Sequence, residues 1–208
     1  MNLISVFFLL VPGFLFLISF THIPAVKTLM NSFFSTGKGR RPSKFVGLEN
    51  YDVLWNDPTF WKVLTNNIIY ACGVIPTSIL LSLAMALWVN SKIIGRPFLR
   101  FSYFLPTVLP LIAVGNIWLF FYAPGFGLID QIASSLGFAS FNILGSQASS
   151  LYGVMAVGIW KEAGFYMIFY LAGLQAIPPD LKEAAMIEGA NKWYIFWRIT
   201  FPLLTPTT

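Results

Sequence analysis

Four apolar stretches, at about 3–20, 66–89, 101–122 and 151–174, constrain this chain more than any other feature. A bilayer core of about 30 Å takes about 20 residues as helix, and lipid cannot satisfy exposed backbone groups, so continuous apolar runs of this length cross it as helices. Composition points the same way. Of the 208 residues, 57% are hydrophobic and 10% charged, whereas a soluble domain keeps about 25% charged. The expected fold class is therefore all-α, a polytopic membrane helix bundle forming one transmembrane domain over 1–208. The first stretch reads as a retained span rather than a signal peptide, because no basic residue precedes it and no small-x-small cleavage site follows.

The formal net charge is +5, but Lys and Arg sit in short clusters between the apolar runs and form no continuous basic stripe. That pattern belongs to membrane flanks and argues against a nucleic-acid partner. Lys92, Arg96 and Arg100 separate the second and third stretches, and Lys182, Lys192 and Arg198 follow the fourth, while 123–150 has neither Lys nor Arg. Placing both basic loops in the cytoplasm leaves the N-terminus cytoplasmic too. The segment 27–62, with Lys38, Arg40, Arg41 and Lys44, then lies outside and disagrees with the rule, which weakens in long loops. Gly37 to Lys44 reads only as a polar external turn. The segments 38–56 and 123–150 carry turn formers such as Gly37-Lys38-Gly39, Asn56-Asp57-Pro58 and Pro124-Gly125, as ordered external caps do.

Chemistry has little to work with. Cys72 and His22 are single, so paired-histidine and cysteine metal sites are excluded, and no His-Glu-x-x-His or other catalytic set occurs in the spans. The chain is expected not to be an enzyme. His22 reads as an interfacial residue. Pro12, Pro76, Pro106 and Pro110 can each kink a span, although membrane helices tolerate proline generally. Lys161 and Glu162 lie near the middle of the fourth stretch, where charge is expensive, and are candidates for a solute path; as sequence neighbours they are expected to point apart rather than to pair. Trp118, Phe120, Phe121 and Tyr122 read as an interfacial aromatic belt.

The segment 178–202 is the most informative. Asp180 followed by Glu183 reads as a capping box, and Gly189 suits the left-handed position just past a helix end. The two-turn helix between them is too short to be stable alone, and Ala184 and Ala185 allow another surface to approach. Trp193, Tyr194, Phe196 and Trp197, with Lys192 and Arg198, suit the headgroup level. These residues by themselves are also compatible with an ordinary cytoplasmic loop carrying an interfacial helix.

Glu183-Ala184-Ala185, three residues, Gly189, nine residues and then Ile199-Thr200-Phe201-Pro202 resembles the EAA loop of the permease subunits of binding-protein-dependent ATP-binding cassette (ABC) importers. Phe201 stands where that family usually has Leu. Leu171-Ala172-Gly173-Leu174-Gln175-Ala176-Ile177-Pro178, Phe45-Val46-Gly47-Leu48-Glu49-Asn50-Tyr51 and Pro124-Gly125-Phe126-Gly127-Leu128-Ile129 resemble the sugar branch, typified by the maltose and glycerol-3-phosphate permeases. The resemblance implies a type I importer permease in a bacterial inner membrane, docked on ABC ATPase subunits through Glu183, Ala184, Ala185 and Gly189. It also implies a second permease subunit, an extracytoplasmic solute-binding protein, surrounding membrane lipid and a sugar or sugar-phosphate solute. No Gly-x-x-x-x-Gly-Lys-Ser/Thr occurs, so ATP and Mg belong to the partner ATPase, with no cofactor on this chain. Residues 201–208 would begin a fifth span, with about two further helices expected beyond a chain that looks truncated at its C-terminus. A transport-free membrane scaffold or receptor, and a permease for a non-sugar solute, remain as alternatives.

Overall fold

The structure, a computed structural model, describes residues 3–35, 43–91, 93–140 and 142–207. The chain, expected as one domain, divides into two compact units, Met1–Thr65 and Asn66–Thr208. All regular elements among the described residues are helical, as the all-α expectation requires.

In the first unit, α1 (Leu3–Leu17) passes through a π-helical turn at Ile18–His22 into α2 (Ile23–Asn31). The first apolar helix therefore runs well past its expected end near residue 20, because Ile23, Val26, Leu29 and Met30 extend the apolar run beyond the polar pair Thr21 and His22. The π turn makes this possible. Pro24 has no N–H and would crowd the carbonyl four residues back. The Ile23 N–H instead bonds the Ile18 carbonyl five residues back, widening the turn just before the proline. The His22 ring Nδ1–H donates to the Leu17 carbonyl (3.1 Å) inside this turn. An isolated antiparallel bridge joins Phe34 and Phe45. Asn50, on the short α3 (Glu49–Trp55), donates to the Ser32 and Phe34 carbonyls at 2.8 and 3.0 Å. This part of the cap is ordered by its own hydrogen bonds; of the turn expected over Gly37 to Lys44, residues 37–42 lie outside the described residues.

The second unit takes most of α4 (Pro58–Asn90), then α5 (Arg96–Val108), α6 (Leu111–Phe121), α7 (Leu128–Ser135) and α8 (Ser150–Ala176). One expectation is corrected here. The third stretch is not one continuous helix over about 101–122 but two helices, α5 and α6, bent by 101° at their junction. Pro110 forces the residue before it out of the helical region, and Leu109 is extended (ψ 134°). At 1.5 Å per residue, neither helix is long enough to cross about 30 Å by itself.

Contacts with α8 show how the bent pair runs. Leu99 packs against the cluster that holds Leu171 and Leu174. Thr107 donates from its hydroxyl to the Lys161 carbonyl (3.1 Å), Trp118 meets Trp160 with ring centroids 5.6 Å apart, and the Tyr122 hydroxyl donates to the Gly153 carbonyl (2.9 Å). α5 thus runs antiparallel to α8, and after the bend the chain meets α8 again at Trp118 and Tyr122, nearer the N-terminal end of α8. This is a broken traverse of the unit, not a loop that returns to the end it came from. The approach of α5 to α8 is set by Gly164, where a Cβ would run into the Tyr103 carbonyl oxygen. Closely crossing membrane helices use small residues in this way.

The core lies at one end of the unit. Leu83, Ala86 and Val89 of α4 pack with Met167, Tyr170, Leu171 and Leu174 of α8, with Ile177, and with Leu204 of the terminal α11 (Phe201–Leu204). Gly164→Val should cost at least about 3 kcal/mol, the upper range for overpacking, because the obstacle is backbone. A clearly lowered midpoint in thermal unfolding of the assembled complex is the expected result; an unchanged one would mean that α5 moves aside freely.

Candidate functional site

The chain leaves the core at Ile177, makes α9 (Pro179–Ile187), turns, makes α10 (Lys192–Ile195) and a second π turn (Phe196–Thr200), and returns to the core at Leu204. Both ends of the 178–203 segment are therefore fastened to the same cluster. Between them Ala185, Ile195 and Thr200 are buried, at 9%, 7% and 5% exposure, and hold the excursion down.

The start of α9 differs from the expected capping box. Pro178 is the cap residue and Pro179 the first helical residue, with no side-chain cap bond. Of the four N–H groups that a helix start leaves unpaired, the two prolines remove two, so a carboxylate cap has less to satisfy. Asp180 and Glu183 lie on the exposed first turns, near the positive end of the helix dipole. The far end agrees with its residues. Gly189 is left-handed (φ +84°), its N–H bonds the Met186 carbonyl (3.1 Å), and the Ala190 N–H bonds the Ala185 carbonyl (2.9 Å). These paired bonds form a Schellman closure.

Glu183, Ala184, Ala185 and Gly189 thus share one short helix and its cap. Ala185 faces inward, while Glu183, Ala184 and Gly189 are exposed. Leu181, Met186 and Ile187 add an apolar exposed surface, with Ile187 87% exposed. One contributor was missed in the sequence. The Asn191 Oδ1 accepts from the Tyr194 N–H (2.8 Å) and caps α10, which sets the return of the chain. Its signal was available, since Asn directly before Lys-Trp-Tyr-Ile is a favoured cap residue.

Lys161 and Glu162 lie elsewhere, about 24 Å along the α8 axis from the start of α9. Their expected divergence is corrected: Lys161 Nζ is 4.0 Å from Glu162 Oε1, at the limit of an ion pair, with side-chain exposures of 21% and 40%. Long side chains lean toward each other even though their Cβ atoms diverge. Both sit beside the break between α5 and α6, as the Thr107 bond to the Lys161 carbonyl shows. The aromatic group expected as a belt is partly internal. Trp118 and Tyr122, with Gly115, Leu119, Leu144, Val154 and Val157, line an apolar cavity of about 240 Å³, and Tyr122 is buried. Among the described residues no group of three or more His, Cys, Asp or Glu is placed to hold a metal.

Residues 78–208 match the family model described as "Binding-protein-dependent transport system inner membrane component". The chain belongs to this family. It is 33% identical over its whole length to the sn-glycerol-3-phosphate transport system permease protein UgpA of Agrobacterium fabrum, and spans 70% of that protein. It is 36% identical to the trehalose/maltose transport system permease protein MalF of Thermococcus litoralis, over 78% of this chain and 55% of that one. The fold is similar to that of a chain in a bacterial ABC transporter involved in the import of the acidic polysaccharide alginate, with a TM-score of 0.83 at 23% identity, covering 98% of this chain and 68% of that one. The protein is thus a membrane permease of ABC importers and not an enzyme.

Replacing Gly189 with Ala forces a Cβ into the left-handed region, at about 1 kcal/mol. Amide exchange at Ala190 should then quicken by about fivefold, whereas Gly189→Asn should stay closer to wild type. Equal exchange in both variants would mean that the closure does not depend on the glycine.

Proposed function

We propose that this chain forms part of the translocation path for a carbohydrate or a related polyol phosphate, and that it receives the energy of ATP hydrolysis through α9. The observation that carries this reading is the form of α9: a short helix fastened at both ends to the core, with small and apolar residues on its outer surface. A helix held in that way moves with the bundle rather than by itself. An ATPase subunit that grips Glu183, Ala184 and the Gly189 turn pulls on α8 through Ile177 and on α11 through Leu204. ATP and Mg bind to that partner, a second permease completes the path, and a solute-binding protein delivers the solute from outside.

The orientation is read by taking α5 and α6 as a single crossing. With α5 and α6 crossing as one unit, Arg96, Arg100, Lys182, Lys192 and Arg198 fall on one side of the membrane, which the positive-inside rule makes cytoplasmic, and the N-terminus lies on that side too. The break places irregular backbone at the level of Lys161 and Glu162, and discontinuous helices beside charged groups are where transporters hold solutes. The two relatives named for glycerol phosphate and for trehalose and maltose support a hydroxyl-rich solute. Lys161 suits the phosphate of a phosphorylated one.

The test is ATP-dependent uptake of labelled sugars, polyols and sugar phosphates by the assembled importer. Wild type is expected to take up one class. Gly189→Asp should lose that uptake while its ATPase subunits still hydrolyse ATP, because it adds a negative charge at the negative end of α9, on the surface the ATPase grips. Wild-type uptake in this variant would overturn the coupling role. If Lys161 contacts the solute, Lys161→Gln should raise the concentration for half-maximal uptake by about tenfold, as expected for one charge-assisted hydrogen bond. An unchanged value would remove Lys161 from the path.

A further inference from the structure

Beneath α9 lies a second cavity, of about 280 Å³, lined by Leu87 and Asn90 from the end of α4, Leu174 from α8, Lys182 and Met186 from α9, and Lys192, Ile195, Phe196 and Thr200 beyond it. Its chemistry is two-sided. Leu87, Leu174, Met186, Ile195 and Phe196 form an apolar wall, while Lys182, Lys192, Asn90 and Thr200 supply two cations and two hydrogen-bonding groups. Among the described residues, no carboxylate lines it. Asp180 and Glu183 flank Lys182 in sequence but are exposed, and Glu188 lines a separate hollow with Gly189, Ala190, Asn191 and Tyr194. Among the described residues, no carboxylate lies within ion-pair distance of Lys182 or Lys192; the pair at that distance is Lys161 and Glu162.

Lys182 and Lys192 line one cavity with no carboxylate among its described lining residues, so an anion between them would gain from both charges. Free phosphate would satisfy the ammonium groups but would gain nothing from the five apolar side chains. An amphiphile satisfies both. Basic hollows between helices on the cytoplasmic side of a membrane take anionic headgroups. Exposed Trp193, Trp197 and Phe201, in edge-to-face and tilted contact with ring centroids 5.6 and 5.1 Å apart, follow directly along the chain and suit the same depth.

We propose that this cavity binds the phosphodiester headgroup of an anionic phospholipid between Lys182 and Lys192, with the first part of an acyl chain along Leu87, Leu174, Met186 and Phe196. The proposal rests on the reading that α9 lies at the cytoplasmic face. Its consequence is that the depth and tilt of α9 depend on a lipid, so that coupling responds to the anionic content of the inner leaflet.

The test is native mass spectrometry of the complete importer, full-length permease with its partners, after exchange into equal phosphatidylglycerol and phosphatidylcholine. Wild type should retain phosphatidylglycerol with about tenfold preference, given the contribution of each lysine near an anionic surface. Lys182→Gln with Lys192→Gln should lose that preference, and Lys182→Arg with Lys192→Arg should keep it. Co-purification of the ATPase subunits shows that each variant has folded. Equal retention of the two lipids by wild type, or an undiminished preference in the Gln pair, would overturn the proposal. So would loss of the retained lipid on adding inorganic phosphate, which would mark a free-phosphate site. Lipid retention is read without ATP, so a failure here is distinct from a failure of the coupling reading, which uptake by Gly189→Asp decides.

Discussion

The meeting of Gly164 with the Tyr103 carbonyl is the constraint on which the second unit depends. Two helices that touch backbone to backbone have almost no freedom in their separation, and that fixes α5 against α8 at one level. With this point held, Thr107 reaches the Lys161 carbonyl on one side of the contact, and Leu99 reaches the α4 and α8 cluster on the other. The chain is then free to break at Leu109 and Pro110, because α5 is already anchored before the bend and Trp118 re-anchors α6 after it. Without a glycine at 164, the break would have nothing fixed to bend from.

The same economy governs the segment 178–203. Its nine-residue helix has no stable existence of its own, yet its segment is held by five buried points, Ile177, Ala185, Ile195, Thr200 and Leu204. Two of these belong to the core itself. An arrangement fastened at both margins and weakly packed between them transmits displacement well and stores little strain, as a lever should.

Much of this was legible in the sequence for a physical reason: each legible feature is local. Long apolar runs announce helices, Gly189 announces a left-handed turn, and the spaced motif from Glu183 to Pro202 announces the family. The features that were not legible depend on chain partners or on proline geometry. Pro110 was recognised as a possible kink, but the size of the bend is set by where α8 recaptures the chain at Trp160 and Gly153. Asp180 looked like a cap because its spacing to Glu183 is right, and Pro178 and Pro179 had already removed half of the donors it would serve. Lys161 and Glu162 were expected apart from Cβ directions alone, which say little about the ends of two long side chains.

The two π turns have a consequence for phase. Each stands two residues before a proline, Ile18–His22 before Pro24 and Phe196–Thr200 before Pro202. Each adds a residue to one helical turn and so rotates everything beyond it by about 100° relative to an unbroken α-helix. In the second case the buried positions run Ile195, Thr200, Leu204, with Ile199 only partly buried. A hydrophobic wheel drawn with a constant period through this stretch would assign the inward face to the wrong residues. Deleting a single residue from the turn would leave a more regular helix, yet it would swing Leu204 away from the core that it closes.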